Sequence, residues 1–265
     1  MTEPLRPDIC RNINVFVFIP TRPNACSLRS VIRKTWAQNP PSDVLIRFVI
    51  GRPQKNGSLS KEHKRYGDMI FYDLDDTYRN LYLKIYAGFQ WQQTFCPNAK
   101  FVMKIDDDMI ADIHRLKYWI NKKMTPLTNK YRAIIFGTMF HRMQPIRNKN
   151  SKYFISHSDY SPEVYPPYQS GPCYILSSDA VAAITKYSHK AKAFEIEDAL
   201  YTGVIADIAG IRRENLWRHF RTTGKFQQKE DCDERKVPLV LTAGSSRDLD
   251  NYRQNFAYLT SIDCQ

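Results

Sequence analysis

Short apolar runs rich in β-branched and aromatic residues alternate along the chain with longer segments whose apolar positions recur every three or four residues. Residues 13–19 (INVFVFI) read as a buried strand ended by Pro20. A helix is predicted over residues 27–38, with Leu28, Val31, Ile32, Thr35 and Trp36 on one face and Pro40-Pro41 closing it. Residues 44–50 (VLIRFVI) form a second strand, stopped by Gly51. A short helix at 59–66 and a brief strand at 69–72 follow. Residues 77–95 read as a long helix with Leu81, Ile85, Phe89 and Gln92 inward, punctuated by Pro97. Residues 101–105 (FVMKI) are an apolar strand that runs straight into Asp106-Asp107-Asp108. A helix is predicted at 113–122 and a strand at 133–136.

This alternation predicts an α/β/α sandwich with a mostly parallel central sheet. In such sheets ligands sit beyond the carboxyl ends of the strands, which is where the three aspartates fall. After residue 140 the pattern loosens around Pro145, Pro162, Pro166 and Pro167. A strand at 173–176, helices at 178–187 and 197–209, and a strand-like stretch at 237–241 remain legible. The second of these helices places Leu200, Val204, Ile205 and Ile208 inward. No linker divides the chain, so residues 1–265 read as one domain with a first half at 13–140 and a second at 141–265.

Composition changes this picture little. A chain of 265 residues with 43% hydrophobic and 25% charged residues can bury a substantial core. The net charge of +12 favours polyanionic partners, but the basic residues are scattered, with only short clusters such as residues 61–65. No zinc-finger spacing, basic zipper or aromatic RNA-binding signature is present, so nucleic acid is not an expected partner. The six cysteines include no C-x-x-C pair, which disfavours zinc ribbons and redox motifs and leaves room for an extracytoplasmic disulfide set. Asn56-Gly57-Ser58 is a glycosylation sequon. No apolar run is long enough to cross a bilayer, and the opening MTEPLRPDIC lacks the apolar core of a secretory signal. Two expectations follow: a cytosolic chain, or a luminal portion without its anchor.

Four constellations can carry chemistry. Clustered carboxylates at the end of a buried strand repel one another, and a divalent cation such as Mg²⁺ or Mn²⁺ offsets that cost while bridging a diphosphate. If the strand continues, Asp106 and Asp108 face one side and Asp107 the other. The competing role is an acidic turn capping the next helix. Arg29 and Arg33, one turn apart, suit phosphate oxygens or a solvated basic face; Trp36 fits the core better than a stacking platform. Glu195, Glu197 and Asp198 suit a helix cap or a general base in a cleft. Residues 165–171 (YPPYQSG) suit a rigid turn, or a loop whose exposed tyrosines stack on a sugar. No phosphate-binding G-x-x-x-x-G-K-[ST] loop, no G-x-G-x-x-G fingerprint and no G-x-S-x-G elbow occurs, which disfavours kinase, dinucleotide and α/β-hydrolase chemistry.

Five segments, in order, carry a more specific likeness: Arg29-Ser-Val-Ile-Arg33-Lys-Thr-Trp36, Asp73-Leu-Asp-Asp76-Thr-Tyr-Arg-Asn80-Leu81-Tyr-Leu-Lys84, Phe101-Val-Met-Lys104-Ile-Asp106-Asp-Asp108, Tyr165-Pro-Pro-Tyr168-Gln-Ser-Gly171-Pro-Cys-Tyr174 and Glu197-Asp198-Ala-Leu-Tyr201-Thr-Gly203. Together they resemble the β-1,3-glycosyltransferase family that includes the β-1,3-galactosyltransferases and β-1,3-N-acetylglucosaminyltransferases. The likeness runs from about residue 13 to 210. Gln169 stands where family members often carry Cys, and Ala199 replaces the usual Val.

The resemblance implies a GT-A-type, Rossmann-like fold, an inverting reaction, a UDP-sugar donor and Mn²⁺. It implies Asp108 as principal metal ligand with Asp106 and Asp107 beside it. Arg29, Arg33, Asp76, Lys84, Lys104 and Asp106 would hold the nucleotide-sugar; Tyr168, Gly171 and Tyr174 would meet the acceptor. Asp198 would be the base, with Glu197 as rival. The first half would bind the donor, and the second the acceptor. Galactose is the expected sugar, N-acetylglucosamine the alternative, and a catalytically silent glycan-binding or chaperone relative the alternative from another class. The implied setting is the Golgi lumen, as part of a type II membrane protein acting on a glycan of a glycoprotein or glycolipid.

Overall fold

The computed structural model describes residues 8–52, 57–224 and 231–264; Asn56 of the sequon lies outside them. In chain order the elements are β1 (Val15–Pro20), α1 (Cys26–Lys34), β2 (Val44–Arg52), α2 (Gly57–Tyr66), β3 (Met69–Asp75) and α3 (Leu81–Phe95). Then come β4 (Phe101–Ile105), β5 (Met109–Ala111), α4 (Ile113–Trp119), α5 (Thr125–Tyr131), β6 (Ile134–Phe140), β7 (Tyr168–Ser177) and α6 (Ser178–Tyr187). A π-helix (Ala199–Ile205), α7 (Ala206–Ile208), β8 (Arg212–Asn215), β9 (Thr242–Gly244) and α8 (Leu249–Thr260) complete the described chain.

Seven strands form one sheet in the order β3-β2-β1-β4-β7-β6-β8, parallel except where β7 runs antiparallel between β4 and β6. Strand β7 comes from the second half of the chain, so one sheet spans both halves. Strands β5 and β9 pair separately and antiparallel. Alternation along β1 sends Val15, Val17 and Ile19 to one face and Phe16 and Phe18 to the other. The first face packs on α1, α4 and α8 through Val31, Ile32, Trp36, Leu116 and Leu259. The second packs on α3 and α6 through Ile85, Phe89, Trp91, Val181 and Ile184. Burial on both faces is why these strands read as continuous apolar runs. The α/β/α sandwich with its mostly parallel sheet is the architecture expected.

Trp36 is core, as predicted; its indole N–H donates to the Tyr252 hydroxyl at 2.7 Å, and that hydroxyl donates to the Met109 carbonyl. The first helix ends at Lys34, short of Gln38, because the Ala37 N–H turns back to the Ile32 carbonyl at 3.1 Å. The helix predicted to stop at 122 continues through a π-helical stretch (Ile120–Met124) into α5, where Pro126 lies in the first turn and its missing N–H costs nothing. Residues 197–209 are mostly π-helical; the wider i→i+5 spacing turns Ile208 outward, contrary to its predicted inward position, while Leu200 and Ile205 stay buried. The predicted strand at 237–241 is irregular, and the strand lies just beyond it at β9. Disulfides join Cys10 to Cys96 and Cys232 to Cys264, leaving Cys26 and Cys173 as thiols. No described helix is long and apolar enough to cross a membrane.

Candidate active site

The sheet order reverses direction between β1 and β4, and the carboxyl ends of those strands open onto a cleft of about 810 Å³. Thr21 and Arg22 after β1, Asp76 after β3, Asp106 to Asp108 after β4, and Glu197 and Asp198 before the π-helix all line it.

Strand β4 stops at Ile105: the Asp106 N–H still donates to the Pro172 carbonyl at 2.9 Å, but Pro172 has no N–H to return and the chain turns at Asp107 and Asp108. The strand-like alternation expected for the three aspartates is therefore absent. Asp106 pairs with Lys104 Nζ at 2.7 Å. Asp107 is buried; it accepts from the Thr21 hydroxyl at 3.0 Å and lies 3.7 Å from Arg247 Nη2. Asp108 is 37% exposed and lies 3.5 Å from the same guanidinium nitrogen. Burial pushes the Asp106 carboxyl up to about 6 against the pull of Lys104, and burial also raises Asp107. No three His, Cys, Asp or Glu side chains among the described residues form a ready-made metal cage. Hard cations such as Mg²⁺ are commonly held by one or two carboxylates together with substrate phosphates and water. The cleft-facing oxygens of Asp108, with Asp106 and Asp107 adjacent, fit that shared mode.

The opposite wall follows from strand register. Lys104 on β4 lies directly across from Tyr174 on β7, on the face toward α3 and the π-helix. Its ammonium, fully buried, contacts Asp106, Glu197 Oε1 at 3.0 Å and the Gly171 carbonyl at 2.5 Å. Burial opposes the charge, but the two carboxylates outweigh it and hold the ammonium well above the usual lysine range. The Tyr174 hydroxyl donates to Glu197 Oε2 at 2.8 Å. Both Glu197 oxygens are thus engaged, and the side chain is buried. Tyr174 has no exposed surface, so the acceptor contact expected of it is not available; it orients Glu197 instead.

Asp198 accepts from the Gly171 N–H at 2.9 Å through Oδ2 and from the Ala199 N–H at 2.8 Å through Oδ1, while part of its surface faces the cleft. Burial raises its carboxyl, and the two backbone N–H groups oppose that rise. A Cβ at Gly171 would stand 3.0 Å from Asp198 Oδ2, so the glycine permits this approach. The π-helix begins directly after Asp198, and π-helical turns are frequent at functional sites.

The structure keeps the two helix arginines out of the cleft. Arg29 is fully buried, bound to Glu62 at 2.7 and 2.9 Å and to the carbonyls of Arg22 and Pro23 at 2.6 and 3.1 Å. Arg33 pairs with Glu62 and Asp68 at 2.7 Å each and stacks over Tyr66. The expectation of nucleotide contact is corrected: their guanidinium forks are filled by protein carboxylates, and Arg29 holds the loop that lines the cleft. Asp76 and Lys84 do line it. Lys84 Nζ bonds Asp76 Oδ1 at 2.5 Å and the Thr21 carbonyl at 3.0 Å, and Asp76 Oδ2 accepts from the Gly51 N–H at 2.9 Å. Burial lowers the Lys84 ammonium against the pull of Asp76. Tyr165 and Tyr168 are buried rather than exposed, since residue 168 already belongs to β7; only their edges reach the cleft. Gln169 fills the interior, its amide donating to the Glu214 carbonyl at 3.2 Å.

Sequence reasoning missed Thr21, Arg22, Tyr78, Tyr153 and Arg247, all at the cleft. Arg247 had no local signal, because it follows a three-residue strand that pairs with β5 immediately after the acid turn.

A family model described as galactosyltransferase matches residues 27–217. A lactosylceramide 1,3-N-acetyl-β-D-glucosaminyltransferase from Xenopus tropicalis is 31% identical over 219 residues, covering 77% of this chain and 57% of that protein. The human protein of the same description is 29% identical, covering 76% and 56%. A UDP-GalNAc:β-1,3-N-acetylgalactosaminyltransferase 1 from Rattus norvegicus is 34% identical, covering 75% and 62%. The chain therefore spans somewhat more than half the length of these relatives.

Proposed function

The chain belongs to the galactosyltransferase family, and from that premise we propose that it is an inverting β-1,3-glycosyltransferase that moves a sugar from a UDP-sugar onto a glycan hydroxyl. The observation that carries this reading is one cleft with two carboxylate walls: the acid turn Asp106 to Asp108 on one side and the backbone-held Asp198 on the other. Donor and acceptor enter between them.

Asp198 is the base. Its cleft-facing carboxylate takes the proton of the acceptor hydroxyl as that oxygen attacks the anomeric carbon, in a single displacement needing no covalent intermediate. Glu197 is a poor rival because both its oxygens are bound within the protein. Lys104 fixes the distance between the walls by touching Asp106, Glu197 and the Gly171 carbonyl together. Asp76, anchored by Lys84 and Gly51, is oriented at the floor for the nucleotide. Asp108, with Asp106 and Asp107 beside it, would hold Mn²⁺. That ion, when bound, supplies Lewis-acid stabilisation of the departing diphosphate. Gly171 and the edge of Tyr168 bound the acceptor side. The setting that goes with this reading is the Golgi lumen.

Galactose is supported by the family description, and a 2-acetamido sugar by the three relatives, which are named for GlcNAc or GalNAc transfer. UDP release from a panel of UDP-Gal, UDP-GlcNAc and UDP-GalNAc, with and without Mn²⁺ and with lactose-type glycolipid and simple sugar acceptors, tests the reading. Mn²⁺-dependent turnover of one donor is expected. Absence of both turnover and UDP binding would favour the silent relative.

A further inference from the structure

The family match ends at residue 217, yet the segment beyond it reaches the acid turn. Strand β9 pairs with β5, and the Ser245 N–H donates to the Asp108 carbonyl at 2.8 Å. Asp248 caps α8 by accepting from the Asn251 N–H at 2.9 Å. The backbone is therefore held on both sides of Arg247, while the Arg247 side chain is 55% exposed and lines the cleft.

A nucleoside diphosphate brings negative charge to a wall that already carries three aspartates. Four basic residues line the cleft: Arg22, Lys84, Lys152 and Arg247. Lys84 is committed to Asp76, and Lys152 lies over the rings of Tyr78 and Tyr153. Arg247 touches the acid turn itself, at 3.5 and 3.7 Å from two carboxylates, too long for tight hydrogen bonds and close enough to neutralise charge. A guanidinium fork suits phosphate oxygens bidentately. Building on the UDP-sugar reading above, we propose that Arg247 is a diphosphate-binding residue. It serves as counter-ion to Asp107 and Asp108 until a divalent cation takes those carboxylates, and then turns onto the diphosphate.

Calorimetric binding of UDP, uridine and Mn²⁺ to the wild-type chain, Arg247→Ala and Arg247→Lys tests this. With Mn²⁺ present, Arg247→Ala should weaken UDP binding about 10- to 100-fold, the range for losing charged hydrogen bonds. Arg247→Lys should fall between, and uridine, which lacks phosphates, should bind all three alike. Without UDP, Arg247→Ala should bind Mn²⁺ more tightly than wild type, because the competing cation is gone. Unchanged UDP affinity in Arg247→Ala would overturn the proposal, even with tighter Mn²⁺ binding, since Arg247 would then be a counter-ion alone. Failure of the wild type to bind UDP at all would instead remove the donor reading, and this proposal with it. Thermal melts within a degree or so of wild type are expected for so exposed a side chain.

Discussion

On one wall of the cleft, Asp198 has both carboxylate oxygens bound by main-chain N–H groups, and Glu197 beside it is held by Lys104 and Tyr174. On the other, Asp108 is more than a third exposed and its nearest cation stands off at 3.5 Å. The first wall is fixed before any substrate arrives, which suits the proton-accepting role proposed for Asp198. The second leaves its carboxylate oxygens less committed, which suits the proposed sharing of a cation with a ligand. The difference separates variants that stop the chemistry from variants that loosen the ligand.

The largest effect is expected at Asp198. Asp198→Ala should lower kcat by about 10²- to 10⁴-fold while leaving Mn²⁺-dependent UDP binding unchanged. Unchanged turnover would break the comparison at its firmer wall. Because burial raises this carboxyl and the proposed base must be ionised to act, the rate should fall as pH drops through a midpoint above the ordinary aspartate range. A pH–rate profile whose acid limb sits at or below that range would contradict the assignment.

Lys104→Met comes next and is read as stability. It leaves Asp106 and Glu197 without their buried partner, a loss of about 3–5 kcal/mol by urea unfolding. Adding Glu197→Gln should recover part of that loss, and no recovery would mean the network is not coupled through Lys104. Asp108→Asn should weaken UDP binding in Mn²⁺ by roughly 10- to 100-fold with no change in melting temperature. An equal weakening without metal would show that Asp108 acts on the donor by another route. The smallest effect is at Gly171→Ala, where the added methyl pushes on Asp198 Oδ2. About a tenfold fall in kcat is expected with KM for the donor unchanged.

Legibility followed the same division. Strand β4 and helix α6 were readable to the residue, because a sheet buried on both faces leaves unbroken apolar runs and Ser177 caps α6. Asp106 to Asp108 and Asp198 could be named as cleft candidates from their neighbours in the chain, and they do line the cleft. Arg29 and Arg33 could not be placed, since a guanidinium suits Glu62 and Asp68 as well as it suits a phosphate. Ile208 was misjudged because a π-helix breaks the 3.6-residue period that the reading relies on. Strands β5 and β9, three residues each, carry no period at all; their pairing, and with it Arg247, emerges only in three dimensions.

The bond between Cys232 and Cys264 encloses β9, Arg247 and α8 in a single loop. Cross-linking a loop of this kind restricts the unfolded ensemble and so stabilises what the loop carries. A preparation kept under strong reductant would retain the five segments that carry the family likeness, while the segment that places Arg247 beside the acid turn would lose this restraint. The choice of purification buffer then becomes an experimental variable in any test of the proposed UDP binding.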